Sequence, residues 1–401
     1  MKRYSKKFEY LWVGEIVSEF GGAAGAIVNG LLLYELTGSR EWMGILWLVY
    51  FLPSLVLQGI SSPFLNYVIK EKMLKNIQLI RAGAYLMPLI GFGLETDTGI
   101  IIGLVILQCT LGLLQPIFAS LSFSLLPEIC TPKELADANG LLDGTLRLMS
   151  FLAPGATSLL LLLMPIQWIH GISALLFFFS FLALTRLPPS PKQKAAVWTK
   201  KFWWSETKEG YRSFFSHPQL LRLTLLSSTV QFAVGATLVL SIPFIRGELG
   251  GETWEYAIFN GAFPIGYVLG MLLLTKLPKS DRTMYIGLIG GGMSFLLLAF
   301  VYSVPFAWLC ELLGGLLFPL FNAQSAAVFQ REAPRNRLAQ LSAVRLLFLR
   351  VTMPLGILFA SLLTLEIRYV YIGIGTIILL PGVYYLLSSV QTKKTLIPGK
   401  E

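Results

Sequence analysis

The sequence predicts an all-α integral membrane protein with twelve transmembrane helices, arranged as two pseudo-symmetric six-helix bundles. The composition, the spacing of the apolar segments and a weak internal repeat lead to this prediction. Of the 401 residues, 55% are hydrophobic and only 13% are charged, whereas a soluble domain carries roughly 25% charged residues. Most of the surface is therefore expected to face something other than water, and the lipid bilayer is the first expected partner.

Each predicted span is a stretch of about 20 mostly apolar residues, which is the length needed to cross a bilayer. In chain order the spans are predicted at 10–36, 42–66, 77–94, 99–122, 138–163, 166–187, 220–245, 256–277, 284–302, 305–329, 338–365 and 370–390. The basic residues 1–7 resemble the start of a signal peptide, but no small-residue cleavage site ends the first apolar stretch. We therefore interpret that stretch as an uncleaved first helix.

The longest polar stretch, 188–218, divides the chain near its middle. We predict an N-terminal bundle at 1–187, a C-terminal bundle at 219–390 and a cytoplasmic tail at 391–401. Aromatic and basic residues mix within the linker, which favours an amphipathic helix on the inner leaflet over a soluble basic linker. Segments 126–155 and 329–356 repeat the same pattern, a charged turn with a proline before a helix that contains arginine, and parallel repeats of six helices occur in transporters.

The distribution of Lys and Arg predicts the orientation. With a cytoplasmic N-terminus, 23 of the 32 basic residues fall in cytoplasmic segments and three, Arg40, Arg246 and Arg368, fall in outer loops. Because basic residues accumulate on the cytoplasmic side, we expect a multi-pass protein of the plasma membrane with both termini in the cytoplasm. Topology accounts for the basic charge, so nucleic acid is not expected as a partner.

Polar residues inside the spans lie along one face of the predicted helices 1, 4, 7 and 10, at about 100° per residue. Each costs free energy unless it faces a cavity or a partner, so the four faces predict a central substrate cavity. Its candidate lining residues are Asn29, Gln108, Gln115, Gln231, Phe318 and Asn322. Tight helix packing is the alternative explanation for small and amide side chains on such faces.

Three carboxylates on the same faces, Glu19, Glu311 and Glu15, are the candidates for proton coupling. Glu19 is the first choice because it lies about 14 Å into helix 1, near the middle of the membrane, where a charge is expensive. Glu15 lies about 8 Å inside and could reach the interface. The alternative for Glu19 is an ion pair with an arginine that locks the bundle.

Four charged residues on the predicted helices 5 and 11 are candidates for an ion pair or a gate. Asp143 and Arg147 are four residues apart and can pair, which favours a structural role over a role in transport. Arg345 and Arg350 have no partner on their own helix, and one of them could face an acid across the bundle. The acidic helices 1 and 10 predict a cavity that prefers cationic or neutral amphiphiles, although these arginines could turn into it.

The motifs of soluble catalytic and nucleotide-binding sites are missing from the sequence. There is no GxxxxGK[ST], no HExxH and no GxSxG. Cys109, Cys130 and Cys310 are isolated, and His170 and His217 are far apart. We therefore expect no catalytic residues, no metal site, no cofactor and no enzymatic activity.

Several motifs follow one another over nearly the whole chain. They are LWVGEIVSEFG and YELTGS around helix 1, FLPSLVLQG in helix 2, IRAG in helix 3, LPEICTPKELADANGLL after helix 4, KEGYRSFFSHPQLLRL before helix 7 and NAQSAAVFQREAPRNRLAQL after helix 10. In this order they resemble the major facilitator superfamily, and more narrowly its macrolide-efflux branch among the drug antiporters. Two motifs depart from the family pattern: Asn66 or Tyr67 stands near an expected Asp, and a glycine-rich motif is reduced to Ala153-Pro154-Gly155. Glu15 also departs from it, because the resembling sequences often have Gln at that position.

The resemblance implies a monomeric secondary transporter that exports an amphipathic small molecule, such as a drug or macrolide, in exchange for protons by alternating access. The two departures weaken the inference of proton antiport. A dedicated exporter of one self-made metabolite, such as a siderophore or peptide antibiotic, is a second hypothesis. A membrane scaffold or sensor without transport is a third, and the carboxylates within the spans argue against it.

Overall fold

The computed structural model describes residues 4–38, 40–187, 199–362 and 365–395, and these ranges contain helices and no strand. The helices are α1 (Lys6–Thr37), α2 (Arg40–Ser61), α3 (Lys70–Tyr85), α4 (Met87–Gly93), α5 (Asp97–Ile129), α6 (Leu135–Leu163), α7 (Ile166–Leu184), α8 (Lys200–Phe215), α9 (Pro218–Ile242), α10 (Thr253–Leu274), α11 (Asp281–Leu298), α12 (Val304–Glu332), α13 (Leu338–Leu362) and α14 (Ile367–Thr395). Short helical turns cover Ser62–Asn66, Pro243–Glu248 and Arg335–Arg337. The all-α prediction is confirmed for the described residues. The side chain of Arg40, residues 188–198 of the linker and residues 396–401 of the tail lie outside them.

Ten helical segments in the described part of the chain are long and apolar enough to cross a membrane, which confirms a multi-pass membrane protein. The predicted span 77–94 is divided at Leu86, because Pro88 in the first turn of α4 has no N–H to continue the hydrogen bonds of α3. The predicted ninth span corresponds to α11, which has 18 residues. The number of twelve spans stays a prediction.

Local sequence signals explain several helix ends. The Ser5 side chain accepts a hydrogen bond from the backbone N–H of Phe8 at 3.2 Å and so caps the start of α1. Gly38 ends that helix with φ 59°, a left-handed conformation that glycine adopts without steric cost. Thr199 and Ser280 cap α8 and α11 in the same way as Ser5 caps α1.

Contacts divide the chain into two compact units. The first unit contains the described parts of Met1–Thr131, Leu148–Ser216 and Ala333–Leu347, and the second contains those of Pro132–Arg147, His217–Glu332 and Phe348–Glu401. The first turns of α6 therefore pack within the second unit, and the first turns of α13 pack within the first. The predicted bundles follow chain order instead of contacts, and their boundaries stay a prediction.

Helices in the second unit approach one another at glycine. A Cβ atom on Gly315 of α12 would lie 2.2 Å from the carbonyl oxygen of Phe263 on α10, and one on Gly270 would lie 2.2 Å from that of Leu316. The backbones of α10 and α12 are thus in direct contact, as is common where small residues line membrane helix interfaces.

Candidate functional site

A cavity of about 810 Å³ lies in the first unit, where α1, α2, α3, α5 and α7 meet. Most of its wall is apolar or aromatic, formed by Ala26, Ile27, Leu31, Tyr34, Leu46, Tyr50, Phe51, Leu111 and Phe177. Its polar lining consists of Ser18, Glu19, Arg81, Gln108 and Gln115. A mostly apolar concave wall with a few polar groups is typical of small-molecule sites.

The polar side of this cavity is organised around Arg81, which is 2% exposed. Arg81 Nη2 donates a hydrogen bond to Gln115 Oε1 at 2.6 Å, and Gln115 in turn hydrogen-bonds to Glu19. The guanidinium also lies over the Phe118 and Phe177 rings, 5.0 and 5.8 Å from their centroids. One amide therefore connects the buried cation to the carboxylate in the cavity.

A chain of hydrogen bonds fixes Arg81 from behind. Its Nη1 donates to Gln78 Oε1 at 3.2 Å, and Gln78 Nε2 donates to Ser180 Oγ at 2.8 Å. Ser180 Oγ then donates to the carbonyl oxygen of Gly14 at 2.7 Å. Because this chain joins α3, α7 and α1, the guanidinium is held in place before any solute binds.

Glu15 lies one helical turn before Glu19 and accepts a short hydrogen bond from the Ser122 hydroxyl. Arg81 interacts electrostatically with both carboxylates. Arg81 is buried and the two carboxylates are half-buried, and with all three groups ionised this cluster has one more negative than positive charge. A single proton or a monovalent cation would neutralise it, which is the charge balance that an exchange of protons for cations requires.

The other predicted residues of the first unit have different surroundings. Gln108 and Gln115 line the cavity, whereas Asn29 is fully buried with its Oδ1 3.0 Å from His170 Nε2. Arg345 is buried with its guanidinium 5.4 Å from the centroid of the Phe123 ring. The structure thus joins Glu15, Glu19 and Gln115 through Arg81 and places Asn29 in a separate polar pair.

A second cluster, half-buried and in the second unit, contains three of the predicted residues. Arg147 Nε lies 3.4 Å from Asp143 Oδ1, and the Tyr267 hydroxyl donates to Asp143 Oδ2. Asn322 Nδ2 donates to the Tyr267 hydroxyl at 3.1 Å. The Arg147 guanidinium is 4.5 Å from the centroid of the Tyr267 ring. These groups partner one another, and Tyr267 is the member that sequence reasoning did not single out.

The remaining candidates of the second unit do not join this cluster. Glu311 is 8% exposed and has no hydrogen-bond or ion-pair partner among the described residues. Phe318 is fully buried, 6.2 and 5.9 Å from the rings of Phe263 and Phe295. Gln231 and Arg350 are half-buried. The roles assigned to these residues stay predictions.

Arg81 is the residue that sequence reasoning missed. It lies inside an otherwise apolar span, and a charge within a span indicates a functional site. The IRAG motif contains it, but its partners outside α3 lie on α1, α5 and α7, which the sequence alone does not bring together. Among the described residues, no group of three His, Cys, Asp or Glu side chains is placed to hold a metal ion.

Sequence comparison relates this chain to transporters. The model of the Major Facilitator Superfamily matches residues 11–280. An uncharacterized MFS-type transporter of Bacillus subtilis, YfmI, is 23% identical over 290 residues, which are 69% of this chain and 70% of that protein. The enterobactin exporter EntS of Shigella boydii is 25% identical over 244 residues, 58% of this chain and 57% of the exporter.

Solved structures share the fold. A bacterial homologue of the iron transporter ferroportin, in an outward-facing state, has a TM-score of 0.76 at 18% identity and covers 96% of this chain and 99% of that one. The human organic anion transporter MFSD10 gives a TM-score of 0.74 at 13% identity over 95% of this chain and 99% of that one. The Escherichia coli fucose:proton symporter FucP gives 0.71 at 12% identity, over 94% and 98%. At these identities the likeness shows the fold alone.

Proposed function

The chain belongs to the major facilitator superfamily and is a multi-pass membrane transporter, and we propose that it exports an amphipathic small molecule in exchange for protons. The protein works by alternating access in the plasma membrane, with both termini in the cytoplasm. The resemblance to the macrolide-efflux branch supports the direction of transport. The enterobactin exporters among the relatives support it independently.

The observation that carries this proposal is the composition of the cavity in the first unit. Tyr50, Phe51 and Phe177 offer aromatic surface to the apolar part of a solute. Glu19 offers a carboxylate to its cationic part, and Gln108 offers an amide. A wall with these two characters fits an amphiphile better than a sugar, which needs many hydrogen-bonding partners.

Competition between solute and proton at the Glu15–Glu19–Arg81 cluster couples their movements. A proton on Glu19 removes the excess negative charge, so a cationic solute is held less strongly. Release of the proton restores that charge and the attraction. Because Gln115 connects Arg81 to Glu19, the Arg81 guanidinium stays next to the Glu19 side chain whether Glu19 is protonated or ionised.

The test is transport by purified protein in proteoliposomes, with ethidium as a cationic amphiphile and an imposed pH gradient. Glu19→Gln is expected to fold and bind ethidium, to lose pH-driven transport by at least about tenfold, as removal of an essential proton-transfer group does, and to keep ethidium exchange. Glu35→Gln, which removes an exposed carboxylate from the same helix, should transport normally. Normal pH-driven transport by Glu19→Gln would exclude Glu19 as the coupling site, and failure to fold would favour a purely structural ion pair.

A dedicated siderophore exporter is the second candidate, and the observation that favours it is the similarity to EntS. Arg81 could then hold an anionic group of the solute. The same liposomes distinguish the candidates. Tight, selective binding of enterobactin over ethidium would mean that Arg81 determines the charge preference of the cavity. Selective binding of ethidium over enterobactin would mean that Glu15 and Glu19 determine it.

A further inference from the structure

The linker helix α8 is attached to the first unit by one of its faces. Trp203 Nε1 donates a hydrogen bond to the carbonyl oxygen of Ile60 at 3.0 Å, and the Tyr211 hydroxyl donates to that of Gly59 at 3.4 Å. Both acceptors lie in the last turn of α2. Gln340 Nε2, at the start of α13, donates to the carbonyl oxygen of Glu206 at 2.8 Å.

Close packing strengthens this attachment. Gly210 lies so near Gln340 that an added Cβ would be 2.0 Å from its Nε2. Phe214 is fully buried, and the rings of Phe202 and Tyr67 are 5.9 Å apart. Burial and the Glu206 carboxylate raise the pKa of the Tyr67 hydroxyl, so it remains a hydrogen-bond donor to that carboxylate. The aromatic face that amphipathicity alone would place in lipid therefore packs on protein.

The opposite face of α8 carries both cations and large apolar side chains. Five residues, three or four positions apart, form one exposed stripe along the helix: Lys201, Trp204, Lys208, Arg212 and Phe215. Trp204 is 63% exposed and Phe215 is 51% exposed. Within the described parts of the chain, none of the three basic side chains in the stripe has an ion-pair partner. The neighbouring acid Glu209 lies 3.9 Å from Arg337 Nη1, which offsets its charge.

The position of α8 in the chain sets the depth of this stripe. The apolar helix α9 begins at Pro218, immediately after α8 ends at Phe215. The end of α8 therefore lies where the chain enters the membrane. Aromatic side chains at this depth prefer the headgroup region, and basic residues on the cytoplasmic side meet a surface of negative potential.

We propose that the exposed stripe of α8 binds the headgroups of anionic phospholipids in the inner leaflet. Lys201, Lys208 and Arg212 contact the phosphates, while Trp204 and Phe215 enter the boundary between headgroups and acyl chains. The three basic side chains favour anionic headgroups over neutral ones, because they attract negative charge. This binding site is separate from the transport cavity and does not depend on which solute is carried.

Quenching of Trp204 fluorescence by brominated lipids tests the proposal. The full-length protein is placed in nanodiscs of equal parts phosphatidylglycerol and phosphatidylcholine, with bromine near the headgroup of one lipid or of the other. The difference between the wild type and Trp204→Phe isolates the signal of Trp204. Brominated phosphatidylglycerol is expected to quench it at least about twofold more than brominated phosphatidylcholine, because each basic residue near the surface attracts anionic lipid.

Two further measurements identify the cause of this excess, the stronger quenching of Trp204 by brominated phosphatidylglycerol than by brominated phosphatidylcholine. K201Q/K208Q/R212Q should abolish it, whereas K133Q/K276Q/R282Q, which removes three exposed basic residues elsewhere, should keep it. In the wild type the excess should shrink in 1 M salt, where the Debye length is about 3 Å. Equal quenching by both lipids, no quenching by either, or an excess that survives the α8 substitutions or 1 M salt would overturn the proposal. The salt series needs only the wild type and Trp204→Phe, so it remains decisive if a triple variant fails to fold.

Discussion

Both units bury charged side chains among apolar helices, but they use them differently. In the first unit, Glu19 and Arg81 lie on the wall of a cavity of about 810 Å³, where a solute can reach them. In the second, Asp143 and Arg147 pair with each other and contact Tyr267. A charge within a span therefore does not by itself mark a transport site. Glu19 differs from Asp143 in lining a cavity that a solute can enter.

The polar faces of α1 and α12 also differ in how closely they pack. Gly22, on the polar face of α1, borders the cavity, and a Cβ there would be 3.6 Å from the nearest atom, in the Phe177 ring. Gly315, on the polar face of α12, is pressed against the carbonyl oxygen of Phe263. The polar face of α1 therefore has room at Gly22, whereas the polar face of α12 is closed by backbone contact at Gly315. Close contacts at glycine occur in the first unit as well, where a Cβ on Gly112 of α5 would lie 2.2 Å from the carbonyl oxygen of Tyr50 on α2.

The largest effect is expected from Arg81→Met. The substitution leaves two carboxylates and two amides without their cation, and breaking a buried ionic group in this way costs ~3–5 kcal/mol. A large fall in the unfolding temperature and loss of transport should result. Arg222→Met in the second unit is the control, because the Arg222 guanidinium stacks on the Tyr385 ring, 5.0 Å from its centroid. Arg222 is half-buried, and a cation–π contact is worth about 0.5–2 kcal/mol, less than the loss expected at Arg81. Equal losses in both variants would remove the distinction between the two arginines.

An intermediate effect is expected from adding one methyl group to either polar face. Gly315→Ala should destabilise the protein by about 1–3 kcal/mol, because the α10 backbone must move to admit the new Cβ. Gly22→Ala should be neutral or stabilising by up to about 1 kcal/mol, because alanine is preferred to glycine in a helix that has space. Thermal unfolding of both variants checks this order, and a greater loss from Gly22→Ala would contradict it.

The smallest effect is expected from Glu311→Gln. This buried carboxylate has no hydrogen-bond or ion-pair partner among the described residues, so a neutral amide of the same shape should leave the unfolding temperature unchanged or raise it. We expect Glu311→Gln to retain more pH-driven ethidium transport than Glu19→Gln. If the two variants lose equal transport in the same liposomes, both carboxylates take part in coupling.

Apolar length and periodicity were sufficient to predict the helical class and most helix positions. The division of the third predicted span at Leu86 was missed, although Pro88 gives a local signal for it. The linker helix was predicted as amphipathic, but the sequence did not show which residues its aromatic side chains contact. Trp203 bonds to the end of α2, a contact 143 residues away in sequence. Periodicity identifies the faces of a helix and leaves open what each face meets.

The same limit applies to the candidate site. Glu19 and Gln115 were singled out because a polar group in a span is costly, and both line the cavity. Arg81 received no role because its bonds to Gln115 and, through Gln78, to Ser180 cross between helices. Asn29 lies on the same face of α1 as Glu19, yet it meets His170 from α7. A stripe on one helix cannot distinguish these two environments, since the neighbouring helix creates them.

The attachment of α8 has a consequence for fragments of this protein. Along the chain α8 continues into α9, whereas its hydrogen bonds join it to α2 and to the start of α13. If the chain were cut between Leu187 and Thr199, the C-terminal fragment would carry α8. This helix would then bind α2 of the N-terminal fragment through its hydrogen bonds to Ile60 and Gly59. A covalent connection between the two fragments raises the effective concentration of α8 at α2 without adding a contact. After a cut at Ser216 the same helix would stay in the N-terminal fragment and bind the other fragment through Gln340 at the start of α13, so α8 is expected to hold the two fragments together with either cut.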